Sequence, residues 1–185
     1  MKLSIYTPSV LRSIFALLLI FVFAQCSKDD DTPEEINEEE VINRVTLAIT
    51  DSAGASTSYT WNEGETIPTL NLTTNSTYQA SIHFFDASDP GDVEDITEEV
   101  IDEADEHFVF YEVVSAAVSI SAASNDVVDA DGVSINLKTA WTVGDAGSGT
   151  IRAFLIHEPS SKSGSTRSAL GGSTDVELDF PVSIQ

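Results

Sequence analysis

Residues 77–85, Thr77-Tyr78-Gln79-Ala80-Ser81-Ile82-His83-Phe84-Phe85, place Tyr78, Ala80, Ile82 and Phe84 at every second position. A period of two is that of a strand with one face buried, and the aromatic content suits a pleated surface. His83 falls on the other side of the alternation, away from the core, as a structural or surface residue.

The same reading extends in both directions. Val41–Thr50 alternates through Val45, Leu47 and Ile49, and Ser58-Tyr59-Thr60-Trp61 is aromatic and β-branched. Phe108–Ser121 is β-prone with a break at Ser115-Ala116. Val133–Val143 alternates through Val133, Ile135 and Leu137 and then reaches Trp141, while Thr150–His157 and Val176–Ile184 close the chain. Turn signals separate these runs: Asp51-Ser52-Ala53-Gly54, Asn62-Glu63-Gly64, Asp129-Ala130-Asp131-Gly132, Gly144–Gly149 and Gly171-Gly172. The spacing predicts an all-β fold, an immunoglobulin-like β-sandwich of about seven to nine strands with one short inserted helix. Pro181 within the last run points to an edge or a bulge.

The inserted helix is expected over Asp95–His107. Asp95 with Glu98 three residues later fits an N-cap followed by an acid in the first turn. Ile96, Val100 and Ala104 form a narrow apolar stripe. Asp105 and Glu106 oppose the macrodipole at its far end, so some other group must compensate them.

Before the first strand the sequence changes character. Lys2 and Arg12 precede an apolar run, Ile14–Ala24, which ends at Gln25-Cys26-Ser27. The run is too short for a bilayer span, which needs about 20 apolar residues. A basic start, a short apolar core and a small-residue exit mark a secretory signal over residues 1–25. Cys26, the single cysteine, stands where a bacterial lipobox carries its lipidated thiol, although Phe23 and Gln25 depart from the usual lipobox residues. With the thiol committed to lipid, no disulfide is available. Residues 26–40 read as an acidic tether, too polar and too like-charged to fold alone. Lys28-Asp29-Asp30-Asp31 resembles the export signal of lipoproteins in the Bacteroidota, which implies an outer-membrane, surface-facing location. Residues 41–185 are then one β-sandwich domain.

Charge narrows the partners. The chain carries 31 acidic and 8 basic residues, a formal charge of −23. Lys2 and Arg12 leave with the signal peptide, and all the acids remain, so the mature charge is −25. Nucleic acid and anionic headgroups are disfavoured, because phosphates want Lys and Arg. Cations are compatible ligands, and so is simple solubility.

Glu99, Glu103 and His107 are spaced i, i+4 and i+8, on one face of the expected helix. A carboxylate and an imidazole one turn apart can share a divalent ion, and mixed nitrogen and oxygen ligation suits zinc. His157-Glu158-Pro159 ends a strand and projects at a loop mouth. Should the fold bring His157 beside His107, the metal set would be His107, His157, Glu103, Glu99 and Glu158. Heme between the two histidines is a weaker alternative. Asp126, Asp129 and Asp131-Gly132 resemble a short calcium loop, but no bidentate Glu closes a twelve-residue loop, and Asp-Gly is itself a hairpin signal. There is no Gly-x-Ser-x-Gly elbow, no phosphate-cradling glycine loop and no free cysteine nucleophile. The chain therefore reads as a non-enzyme.

Several stretches carry a wider likeness: Asn37–Ile42, Asp95–Glu99, Glu103–Phe108, Leu155–Pro159 and Thr174–Val182. Over nearly the whole mature chain they resemble small Bacteroidota outer-membrane lipoproteins often described as type 1 periplasmic binding fold superfamily proteins. That description denotes a two-lobed α/β structure, whereas the pattern here is β with one short helix. Together these readings predict a lipid-anchored envelope protein that captures zinc for a TonB-dependent outer-membrane transporter. The alternative is a structural or protein-interaction lipoprotein with no small ligand.

Overall fold

The computed structural model describes residues 40–185. The expected signal peptide, Cys26 and the tether up to residue 39 lie outside the described residues. Among the described residues, no helix is long and apolar enough to cross a membrane.

Nine strands follow one another: β1 (Arg44–Asp51), β2 (Ser56–Asn62), β3 (Leu70–Leu72), β4 (Thr77–Phe85), β5 (His107–Val114), β6 (Val118–Ala122), β7 (Lys138–Val143), β8 (Gly147–His157) and β9 (Ser173–Ile184). They form a five-stranded sheet, β2-β1-β4-β7-β6, and a four-stranded sheet, β3-β9-β8-β5. This is the expected all-β sandwich. Val45, Leu47, Ile49, Ala80, Ile82, Phe84 and Trp141 of the first sheet share one buried core with Val109, Ile151, Leu155, Leu178 and Phe180 of the second. Each fully buried side chain of this size contributes about 1.5–3 kcal/mol.

Helix α1 (Ile96–Asp102) joins β4 to β5. Its N-cap is Asp95, whose carboxylate accepts from the Thr97 amide. Thr97 is buried, and its hydroxyl accepts from Phe84 N and donates to Phe84 O, which ties the helix to β4. The helix is shorter than the sequence pattern implies. It ends at Asp102 with Glu103 as C-cap, and His107 already begins β5. Asp105 Oδ1 accepts from the Ala130 amide, Glu106 Oε2 lies 3.6 Å from His157 Nε2, and Lys162 Nζ donates to Ala104 O at 2.7 Å and to Asp129 Oδ2 at 2.8 Å. A single-turn helix, α2 (Arg167–Leu170), lays Leu170 on the outer face of the second sheet against Phe108, Phe154 and Ile156.

Three details depart from the alternation. Val133–Leu137 is not strand, because Asn136 takes a left-handed φ of 64° and Asp126 accepts from Asn136 N and Lys138 N. Ile135 and Leu137 are nevertheless buried. The three-residue β3, which pairs parallel with Val182–Ile184, has no periodic signature of its own. Pro181 sits just before that pairing begins, where β9 has only β8 beside it. It behaves as an edge proline within an inner strand.

Candidate metal centre

The antiparallel pairing of β5 with β8 sets His107 directly opposite His157. Both lie on the core side, two residues from buried Val109 and Leu155, and both are buried themselves. Their rings stack with centroids 4.9 Å apart and planes 8° from parallel. A ligand nitrogen points its lone pair along the plane of its ring, so two nearly parallel rings do not converge on one ion. Stacking also leaves no space for a porphyrin between them. The two imidazoles meet, which the sequence left open, but their stacked geometry does not suit one shared ion.

His107 is oriented from both ends. Its Nδ1 lies 3.2 Å from the Glu103 carbonyl oxygen, which can only accept, so Nδ1 carries a hydrogen. A backbone carbonyl on one nitrogen leaves the other as the ligand, the usual second contact of a metal-binding histidine. That other nitrogen, Nε2, faces Glu40 Oε1 at 3.4 Å. The Glu40 side chain is only 3% exposed, and among the described residues neither of its oxygens nor His107 Nε2 has a hydrogen bond. A carboxylate facing a ring nitrogen suits a cation between them, either a proton on the imidazole or a metal ion. A shared proton would draw the two atoms to about 2.8 Å. Two ligands on a tetrahedral ion at zinc bond lengths stand about 3.3 Å apart.

The third donor comes from a bulge. Leu155 pairs with Val176 and Ile156 with Thr174, which leaves Asp175 as the extra residue of β9. Bulges re-aim side chains beside functional sites, and this one brings the Asp175 carboxylate to the pair. Glu40, His107 and Asp175 each offer a ligand atom within 4.8 Å of the others. The turn before the bulge is braced by Arg167, which donates to the Gly171, Gly172 and Ser173 carbonyls and to Thr174 Oγ1. Gly172 has φ 67°, and a Cβ there would collide with the His157 carbonyl, so only glycine lets this turn close onto the end of β8.

The remaining expected ligands fall into two neighbouring clusters. Glu99 and Glu103 gather with Glu40 within the same 4.8 Å limit, and Glu103 Oε2 is a buried oxygen without a hydrogen bond. Burial, then repulsion from Glu40, Glu103 and Glu94, holds the Glu99 carboxyl above its usual range. His157 and Glu158 gather with Glu106, whose Oε2 is 3.6 Å from His157 Nε2. Glu158 adopts a left-handed φ of 49°, and its amide donates to Glu106 O, which clamps the end of β8 to the turn before β5. The five expected residues thus divide between two clusters around His107, to which Glu40 is common, and one at His157.

Sequence reasoning assigned Glu40 to the tether and gave no role to Asp175 or Glu106. Glu40 lies in a run of like acids with no periodicity, and the bulge at Asp175 has no local signature. The aspartates of the 126–132 loop are occupied as turn caps: Asp126 by two backbone amides, Asp129 by the Asp131 and Val133 amides and by Lys162. His83 is half-buried on the side of β4 away from the core and stacks on Phe85. Comparison with family models, curated proteins and solved structures found no match to the chain.

Proposed function

We propose that this is a lipid-anchored, non-catalytic protein of the outer membrane that captures a divalent cation, zinc first, on Glu40, His107 and Asp175. The observation that carries the reading is the 3.4 Å approach of Glu40 Oε1 to His107 Nε2, two buried acceptors with no hydrogen bond. One nitrogen and two carboxylates are a zinc-type donor set. Binding rather than catalysis follows the sequence, which carries no nucleophile elbow, phosphate-cradling loop or free cysteine nucleophile.

The anchoring half of the reading rests on sequence: the apolar run to Cys26 and the Lys28-Asp29-Asp30-Asp31 that follows it. An ion held outside the membrane by a tethered domain is suited to delivery to an outer-membrane transporter. The test is elemental analysis of the chain purified in detergent, together with its melting temperature with and without zinc. Bound zinc and a zinc-dependent rise are expected, and both are expected to disappear in a His107→Ala, Asp175→Asn variant. No zinc and no rise would leave an interaction lipoprotein in place of a metal carrier.

A further inference from the structure

Glu40 belongs to two ligand sets at once. It stands with His107 and Asp175 on one side and with Glu99 and Glu103 on the other, and within each set the ligand atoms lie within 4.8 Å of one another. Its side chain is 3% exposed, and both of its oxygens lack hydrogen bonds. One ion on the His107 side engages one of those oxygens and leaves the other a buried acceptor with nothing to accept from, which is costly. Glu103 Oε2, 3.9 Å from His107 Nδ1, is a second buried oxygen without a hydrogen bond.

Charge points the same way. Glu40, Glu99, Glu103 and Asp175 bring four negative charges around one imidazole. The charge of one divalent ion is already matched by two carboxylates, and Glu99 and Glu103 add like charge beside the buried Glu40. A second divalent ion removes the excess.

We propose that the Glu40 carboxylate bridges two divalent cations, one on His107 and Asp175 and one on Glu99 and Glu103. This rests on the zinc reading of the His107 side and extends it. The second position has only oxygen donors, so it selects a harder ion of the manganese, magnesium or calcium class. Bridged ions of this kind lie about 4 Å apart. Glu99 is exposed, so the oxygen-only position is the one that meets solvent.

The experiment is metal stoichiometry by equilibrium dialysis and elemental analysis, with manganese electron paramagnetic resonance on the same chain purified in detergent. Two ions per chain are expected with zinc and manganese together, and an exchange-coupled signal when manganese alone fills both positions. In a Glu99→Gln, Glu103→Gln variant the count is expected to fall to one and the signal to become that of isolated manganese. Glu99→Gln alone, at an exposed side chain, serves as the variant that leaves folding intact and weakens the second ion selectively. Saturation of the wild-type chain at one ion would overturn the bridge, as would two ions retained in the double variant. If that single ion is lost in His107→Ala, the zinc reading survives without the bridge. No bound ion of either kind would remove both.

Discussion

Glu40→Gln has opposite effects on the metal-free and metal-loaded protein. Without metal, an ionised Glu40 is a carboxylate at 3% exposure with no hydrogen bond, close to Glu99, Glu103 and Asp175. Such a charge costs several kcal/mol, while an unsatisfied neutral amide of the same shape costs about 1–3 kcal/mol. The substitution should therefore stabilise the metal-free fold by about 1–3 kcal/mol. At about 3 °C per kcal/mol for a domain of this size, the melting temperature rises by about 3–9 °C. With zinc at 100 times the wild-type Kd, the wild-type chain gains about 2.7 kcal/mol, or about 8 °C. A hundredfold loss of affinity in the variant leaves about 0.4 kcal/mol of that gain, close to 1 °C. Melting by circular dichroism at pH 8, in chelator and then in buffered zinc, reads both numbers. The reasoning is refuted if the variant melts lower in chelator, because Glu40 would then be holding His107 as a structural ion pair. An unchanged zinc shift would refute it equally.

Other substitutions separate the clusters. His107→Ala should abolish zinc binding by calorimetry and His157→Ala should leave it within a few-fold, because the two stacked rings serve different donor sets; equal losses would mean one shared ion. Arg167→Ala touches no ligand but frees the turn that aims Asp175, so zinc affinity should fall about 10- to 100-fold, as for other supporting contacts of metal ligands. Unchanged affinity would show that the bulge holds its shape alone. Asp129 is held below its usual carboxylate range, first by the Lys162 hydrogen bond and then by the Val133 amide. A carboxyl with a lowered folded value contributes stability that is fully present above its unfolded value and is lost as pH falls through the folded one. Urea midpoints between pH 3 and 7 should therefore show an acid-side decline that is shallower in Asp129→Asn, and parallel curves would remove this pair from the account.

The local elements were legible where one cause acted alone. Thr77–Phe85 is the run that its alternation marks, because β4 buries one face and is paired on both sides by strands of the same sheet. Asp95 caps α1 as its position implies. Val133–Leu137 misled because its apolar residues are buried without being strand. The Asp126 carboxylate, reaching over ten residues, takes the amides that a ladder would have used. The site was half legible. His107 and His157 could be named from residue chemistry, but their pairing could not, because His107 read as the last residue of the helix and instead opens β5. Glu40 and Asp175 could not, because an acidic run and a bulge carry no periodic signal.

The sequence by itself determined a β-sandwich with one helix, a strongly acidic surface and two histidines worth attention, since each follows from side-chain period, charge or residue type within a short window. Tertiary structure alone decided which carboxylates meet His107. Glu40 before the first strand and Asp175 in the last are 135 positions apart in the chain; strand register and one extra residue in β9 bring Asp175 to the imidazole that Glu40 also faces. Register depends on long-range pairing energies, and a shift of a single residue in either strand would have turned His107 or Asp175 to the opposite face.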